Sequence, residues 1–187
     1  MNIGVGRAAG VLNEMVESTI NLQVPAIKIV APAELQKEIG VEDKSLAAVN
    51  LGFRGTFSGT AALVSPTDSA SKLVSVLTGD VDDPTDLDSV RAGTLTEVGN
   101  IVLNEVMGSM ANVLEERLEY SVPTYLEETL INLLSTNATL EASILVAETG
   151  FVIEELQLHG DVLLCLELGS FDALLKAINR TIADDYA

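Results

Sequence analysis

Between positions 93 and 115 apolar and polar residues alternate with a helical period. At about 100° per residue, Leu95, Val98, Val102, Val106, Met110 and Val113 gather on one side, and Gly93, Glu97, Asn100, Asn104, Gly108, Ala111 and Glu115 on the other. The pattern predicts a helix from about 85 to about 118 with one core stripe. Its second stripe carries a carboxylate and a carboxamide one turn apart, flanked by residues too small to obstruct a close partner. A solvated helix face tolerates Glu, Asn and Gly equally well, so the stripe by itself does not decide between docking and solvation.

The rest of the chain reads in order. Residues 3–22 form an amphipathic helix ending before Val24-Pro25, because the residue ahead of a proline is pushed toward extended conformation. Positions 25–31 are extended, 32–40 read as a short helix and 42–44 as a polar turn. A strand over 46–57, a turn at Ser58-Gly59 and a returning strand over 60–65 make a hairpin. Pro66-Thr67-Asp68 opens a helix to about Leu77. The acidic stretch 79–84 has no apolar period and reads as a linker. Residues 124–138 fit a strand or a helix equally. A long strand or bent pair covers 140–158, with Thr149-Gly150 as a bulge or turn, His159-Gly160 as the next turn and 161–168 as the returning strand. A closing helix runs from Phe171 to about Ile182.

Two of these stretches are copies. At an offset of 98, Asn2-Ile3 aligns with Asn100-Ile101, Gly10 with Gly108, Leu12 with Met110, Met15 with Val113, Val16 with Leu114, Ile20 with Leu118 and Val24-Pro25 with Val122-Pro123. Each half is then helix, extended connection, hairpin, helix, with 1–78 as the first half, 79–84 as the linker and 85–187 as the second. Apolar faces of two such halves are best buried by joining both hairpins into one antiparallel sheet with helices packed on it. The expected fold is α+β, a single pseudo-symmetric domain over 1–187. The in-register repeat also weighs against the Glu97/Asn100 stripe being mere solvated surface.

Composition narrows the partners. Of 187 residues 48% are apolar, ample for a core. A net charge of −18 and a pI near 4.1 disfavour nucleic acid, which needs a basic stripe to release counterions, and anionic membrane surfaces. Cys165, the lone cysteine, lies in an apolar run and reads as a buried small hydrophobe. No basic leader and no apolar stretch of about 20 residues occurs, so the chain reads as cytoplasmic.

Glu97 and Asn100 have no nucleophile and base pair beside them, no Cys/His cluster and no Gly-rich phosphate loop joined to a Lys. They make half a site: a carboxamide holds a water through donor and acceptor, and a carboxylate binds an ammonium. Hydrolysis of a phosphoryl group needs mainly a positioned in-line water and neutralised oxygens, and the substrate can bring the rest.

Glu97, Asn100 and Pro123 match E-x-x-N followed by twenty-two residues and a Pro, and here the chain resembles the CheC/CheX/FliY family, phosphatases of chemotaxis. CheC-type members carry the motif twice in a chain of about this length. In the first copy Asn2, Gly4, Gly6, Arg7 and Ala8-Ala9 look like the family's helix, but the matching Glu would precede Met1. The first site is incomplete as written, and the symmetry leads us to expect helical residues ahead of Met1, or a site lost in this member. The resemblance implies a protein-aspartyl-phosphate phosphatase acting on a phosphorylated CheY-like response regulator. Asn100 then orients the attacking water and Glu97 binds the regulator's Lys, while Asn2 is an incomplete second site. No cofactor of its own is implied; the Mg²⁺ is carried by the regulator. Asn104 extends the stripe without an implied role, and Gly6, Gly10 and Arg7 read as close packing and helix-surface contact. A non-catalytic adaptor, akin to the flagellar switch proteins of this architecture, is the alternative, and the deamidase CheD is a partner compatible with either.

Overall fold

The apolar runs that read as strands are nearly continuous because their residues are buried on both faces of one sheet. In β3 (Ser45–Gly55), Ala47, Val49, Leu51 and Phe53 face one cluster while Leu46 and Ala48 face another. β4 (Gly59–Pro66) divides Ala61 and Leu63 from Ala62 and Val64 in the same way, and β8 (Leu156–Leu166) divides Val162, Leu164 and Leu166 from Leu163 and Cys165. The computed structural model describes residues 2–15, 20–23, 27–31, 34, 45–79, 87–130, 132–133, 143–153 and 156–185.

The sheet is antiparallel and eight-stranded. Its centre is the pairing of β4 with β8, running from Gly59 opposite Leu166 to Val64 opposite Asp161. β3 lies outside β4 and β7 (Ser143–Ile153) outside β8. Each outer flank is covered by two short strands. β1 (Ile20–Gln23) and β2 (Ile27–Val30) both pair with β7, and β5 (Leu118–Tyr120) and β6 (Thr124–Thr129) both pair with β3. The short strands of residues 20–30 thus cover a hairpin strand beyond residue 142, and those of 118–129 cover one before residue 56.

Helices α1 (Asn2–Met15), α2 (Thr67–Thr78), α3 (Leu87–Val113) and α4 (Ser170–Asp185) supply Ala8, Leu12, Ala70, Leu73, Leu174 and Ala177 to the core on one face, with α3 contributing most. Phe53 and Phe57 meet edge to face there, ring centroids 6.1 Å apart. On the opposite face Val30, Leu130 and Leu133 join Ile144 and Val146.

Several expectations are corrected. The first helix stops at Met15, and residues 20–23 are a strand because pairing with β7 satisfies their backbone in a way that local helical periodicity cannot anticipate. Thr149-Gly150 is neither bulge nor turn, and His159-Gly160 is not a turn: Thr149 pairs with Gly160 and Gly150 with His159 inside one continuous ladder. β3 ends at Gly55, and Gly59 begins β4. A Cβ on Gly59 would run into the Cys165 carbonyl, so that glycine answers a close strand approach. Residues 124–129, left open by the sequence, are strand β6. The expected helix over 32–40, except for helical Glu34, the turn at 42–44 and the linker beyond Gly79 lie outside the described residues.

Candidate functional site

α3 is wedged between the sheet and α1, so more than one stripe of it is buried. Val98, Val102, Leu103, Val106 and Met107 are enclosed, and so is Ala111, which the periodicity assigns to the open stripe; Val113, assigned to the core, is 52% exposed near the helix end. Two glycines set how closely the wedge fits. A Cβ on Gly4 of α1 would overlap the backbone of Glu105 and Val106, and one on Gly99 would lie 2.5 Å from the Val49 side chain of β3. Gly99 therefore seats the turn bearing Glu97 and Asn100 directly on the sheet. Gly6 and Gly10, read as close-packing residues, are exposed and a Cβ on either would meet nothing; Arg7 is exposed as well.

The N-terminal part of α3 is tied down by Arg91, which pairs with Glu127 of β6 at 3.0 Å and whose guanidinium donates to the Thr67 carbonyl at 3.5 Å. Tyr125, on the same strand, donates its hydroxyl to Glu127. Burial first, and this bond second, push its pKa up to about 12.

Pro123 lies between β5 and β6. Tyr120 is opposite Phe53 and Thr124 opposite Asn50, so residues 121–123 face only two residues of β3. That is a β-bulge on an outer strand, where a proline's missing N–H costs no ladder bond. Ser121 closes it: its N–H donates to the Gly52 carbonyl and its Oγ accepts from the Gly52 N–H, both at 2.9 Å. Nothing in the alternation of the sequence signals the extra residue.

The far end of α3 is a Schellman motif. The Glu116 N–H donates to the Ala111 carbonyl at 2.9 Å, that of Glu115 to Asn112 at 3.3 Å, and Glu115 takes φ +54°. The helix thus ends at Val113 rather than near Leu118, because the chain reverses at a Glu where a glycine would have announced it. Arg180 of α4 fixes this end by donating to the Leu114 carbonyl at 3.0 Å and pairing with Glu116 at 2.8 Å. Beside it an open groove of about 730 Å³ is lined by Gly108, Ala111 and Asn112 on one side and by Arg54, Arg117 and Glu119 on the other. Arg54 and Arg117 were not legible as part of this surface, since they come from β3 and from the loop after α3.

Within this frame Glu97 is exposed and Asn100 half-buried, one turn apart on the outer face of α3. Among the described residues the Glu97 side chain has neither an ion pair nor a hydrogen bond, so its carboxylate is free to accept an external cation. The Asn100 Oδ1 accepts from the Asn104 amide, leaving the Asn100 amide nitrogen and one carbonyl lone pair uncommitted. Asn104, exposed and given no role by the sequence pattern, is the polar group in contact with Asn100. Asn2 starts α1, a separate helix that meets α3 through Gly4, and does not share a turn with Glu97 and Asn100. Among the described residues no group of His, Cys, Asp and Glu could hold a metal, and no helix is long and apolar enough to cross a membrane. His159 lies in β8, opposite Gly150.

No protein-family model matches the chain. It is 29% identical over 125 residues to the CheY-P phosphatase CheC of Bacillus subtilis (strain 168), a match that takes in 65% of this chain and 60% of that relative's length. Its fold is similar to that of Thermotoga maritima FliY, with a TM-score of 0.75 over 96% of this chain and 92% of the other at 15% identity. CheX in the CheX–CheY–BeF₃–Mg²⁺ complex from Borrelia burgdorferi gives 0.56 over 88% and 95% at 18% identity. The FliG–FliM complex from H. pylori contains a chain that gives 0.62 over 94% and 92% at 14%. In its E-x-x-N and Pro spacing, its sequence likeness to CheC and its α+β fold, the chain is similar to proteins of the CheC/CheX/FliY family.

Proposed function

We propose that the protein dephosphorylates a CheY-like response regulator, using Glu97 to dock the regulator and Asn100 to orient the attacking water. The observation that carries this reading is the free Glu97 carboxylate one turn from a carboxamide with unused donor and acceptor capacity, on a helix pinned to the sheet at Gly99. The likeness to CheC supports it. The water oxygen attacks phosphorus in line as the bond to the regulator's aspartyl oxygen breaks, leaving a free carboxylate and inorganic phosphate, which carries the water's oxygen and both its protons, one of them exchanging with solvent. Phosphoryl transfer of this loose kind is catalysed by positioning and charge neutralisation. The regulator's Mg²⁺ and Lys neutralise the transferring oxygens; Glu97 holds that Lys by charge-assisted hydrogen bonds; Asn100 holds the water.

In decay of an acyl-phosphorylated CheY-like regulator, the wild-type chain is expected to accelerate phosphate loss, and Asn100→Ala to abolish the acceleration with the fold intact, since Ala favours the helix. Glu97→Ala is expected to raise the half-saturating regulator concentration roughly tenfold, the size of a lost charge-assisted bond of about 1.5 kcal/mol. Full acceleration by Asn100→Ala refutes the role given to that residue.

The fold is also similar to that of a chain in the FliG–FliM complex, which favours, as a second reading, an adaptor that binds a regulator or a flagellar protein without hydrolysis. Saturable binding with unchanged phosphate decay would select it. A CheD partner is compatible with both readings.

A further inference from the structure

An asparagine carboxamide on open helix surface turns about a broad, nearly two-fold torsion, so its oxygen and nitrogen exchange places at little cost. A water held by such a group is poorly oriented. In this chain the exchange is coupled to a neighbour: Asn104, one turn further along α3, donates its amide to the Asn100 Oδ1, and turning Asn100 alone would set one NH₂ against the other. The carbonyl is thereby turned toward Asn104 and the NH₂ away from it. One lone pair of Oδ1 is taken and one remains, so the oriented group still offers a donor and an acceptor to a water. We propose that Asn104 is the positioning residue of the site, selecting the orientation in which Asn100 presents its amide to the attacking water. The inference rests on the phosphatase reading above.

Two features separate this role from a structural one. Asn104 is exposed, so its hydrogen bond satisfies no buried group and adds little to folding. Asn is also a poor helix former, and two of them a turn apart on a solvent face work against the helix. Asn104→Ala is therefore expected to keep or slightly raise thermal stability, and a loss of rate in it cannot come from unfolding.

The test follows decay of a CheY-like regulator phosphorylated with acetyl phosphate, at varied regulator concentration, for the wild type, Asn100→Ala and three Asn104 variants. Losing one neutral hydrogen bond of about 1 kcal/mol should lower the maximal rate of Asn104→Ala roughly three- to tenfold, with half-saturation changed less than about twofold. Asn104→Gln, which keeps the donor, should restore most of the rate. Asn104→Asp is isosteric but at neutral pH can only accept, so it should turn the Asn100 carboxamide round and do no better than Ala. In an Asn100→Ala background Asn104→Ala should change nothing further. A wild-type maximal rate in Asn104→Ala or Asn104→Asp overturns the proposal, as does a loss confined to half-saturation or one that multiplies with that of Asn100→Ala. If the wild type does not accelerate decay, or Asn100→Ala does so fully, the phosphatase reading fails and the positioning role with it. If both behave as expected and only the Asn104 variants do not, the positioning role alone falls.

Discussion

Glu116 receives hydrogen bonds from two sides, the Thr56 hydroxyl and the Arg180 guanidinium, and these hold its carboxyl below the usual carboxylate range. A carboxylate depressed in the folded chain stabilises it above the ordinary carboxylate range, and the contribution disappears as pH falls through the depressed value. Thermal midpoints of wild type and Glu116→Gln, followed from about pH 7 to about pH 2, should therefore converge on acidification. A gap that stays constant to the acid limit would contradict the assignment. At the same scale, the placement of Glu97 and Asn100 one turn apart on one helix was legible because such spacing is local. The partnership of Asn104 was present in the spacing too, but an i, i+4 pair of amides looks the same in sequence whether the two meet or both face water. Ala111 and Val113 were misassigned for a different reason: a helix wedged between a sheet and a second helix has no single polar stripe to read.

At the scale of elements, α3 ends where Glu115 adopts left-handed backbone, a conformation that costs a residue with a Cβ roughly 1 kcal/mol. Glu115→Gly should raise stability by about 0.5–1 kcal/mol, less whatever the extra freedom of the unfolded chain takes back. Denaturant midpoints with unchanged slope would measure it, and a destabilised variant would mean that the Glu115 side chain serves the turn. The hairpin of β7 and β8 shows why turns are the harder elements to place. Gly150, His159 and Gly160 have the composition of a turn, yet they are cross-strand neighbours. Their part of the hairpin runs beyond the end of β4, where β8 has β7 as its partner and β7 has β1. Glycine inside such a projecting ribbon carries the same local signal as glycine at its tip, and only the register distinguishes them.

For the molecule as a whole, the strand exchange decides what can fold alone. β1 and β2 come before the β3–β4 hairpin but are paired to β7, while β5 and β6 come before β7–β8 but are paired to β3. Among the described residues, neither 1–78 nor 85–187 contains a partner for its own short strands. Each fragment expressed by itself should lack a cooperative unfolding transition, and mixing the two should restore one, seen by circular dichroism. A cooperative transition in the isolated 1–78 fragment would refute this interdependence. The α+β class and the antiparallel sheet were legible, because two alternating hairpins between amphipathic helices admit few other arrangements. The exchange was not, since pairing between distant strands leaves no mark in local periodicity.

That exchange also imposes a timetable on synthesis. Ile20 is made about 130 residues before its partner Ile153. At about 5–20 residues per second a ribosome takes on the order of ten seconds to cover that distance. Throughout it β1 and β2 present bare backbone and the β3–β4 hairpin keeps an unpaired edge, so the nascent chain depends on whatever holds it apart from its neighbours. Pairings so distant in sequence are expected to make folding slow for a chain of this size.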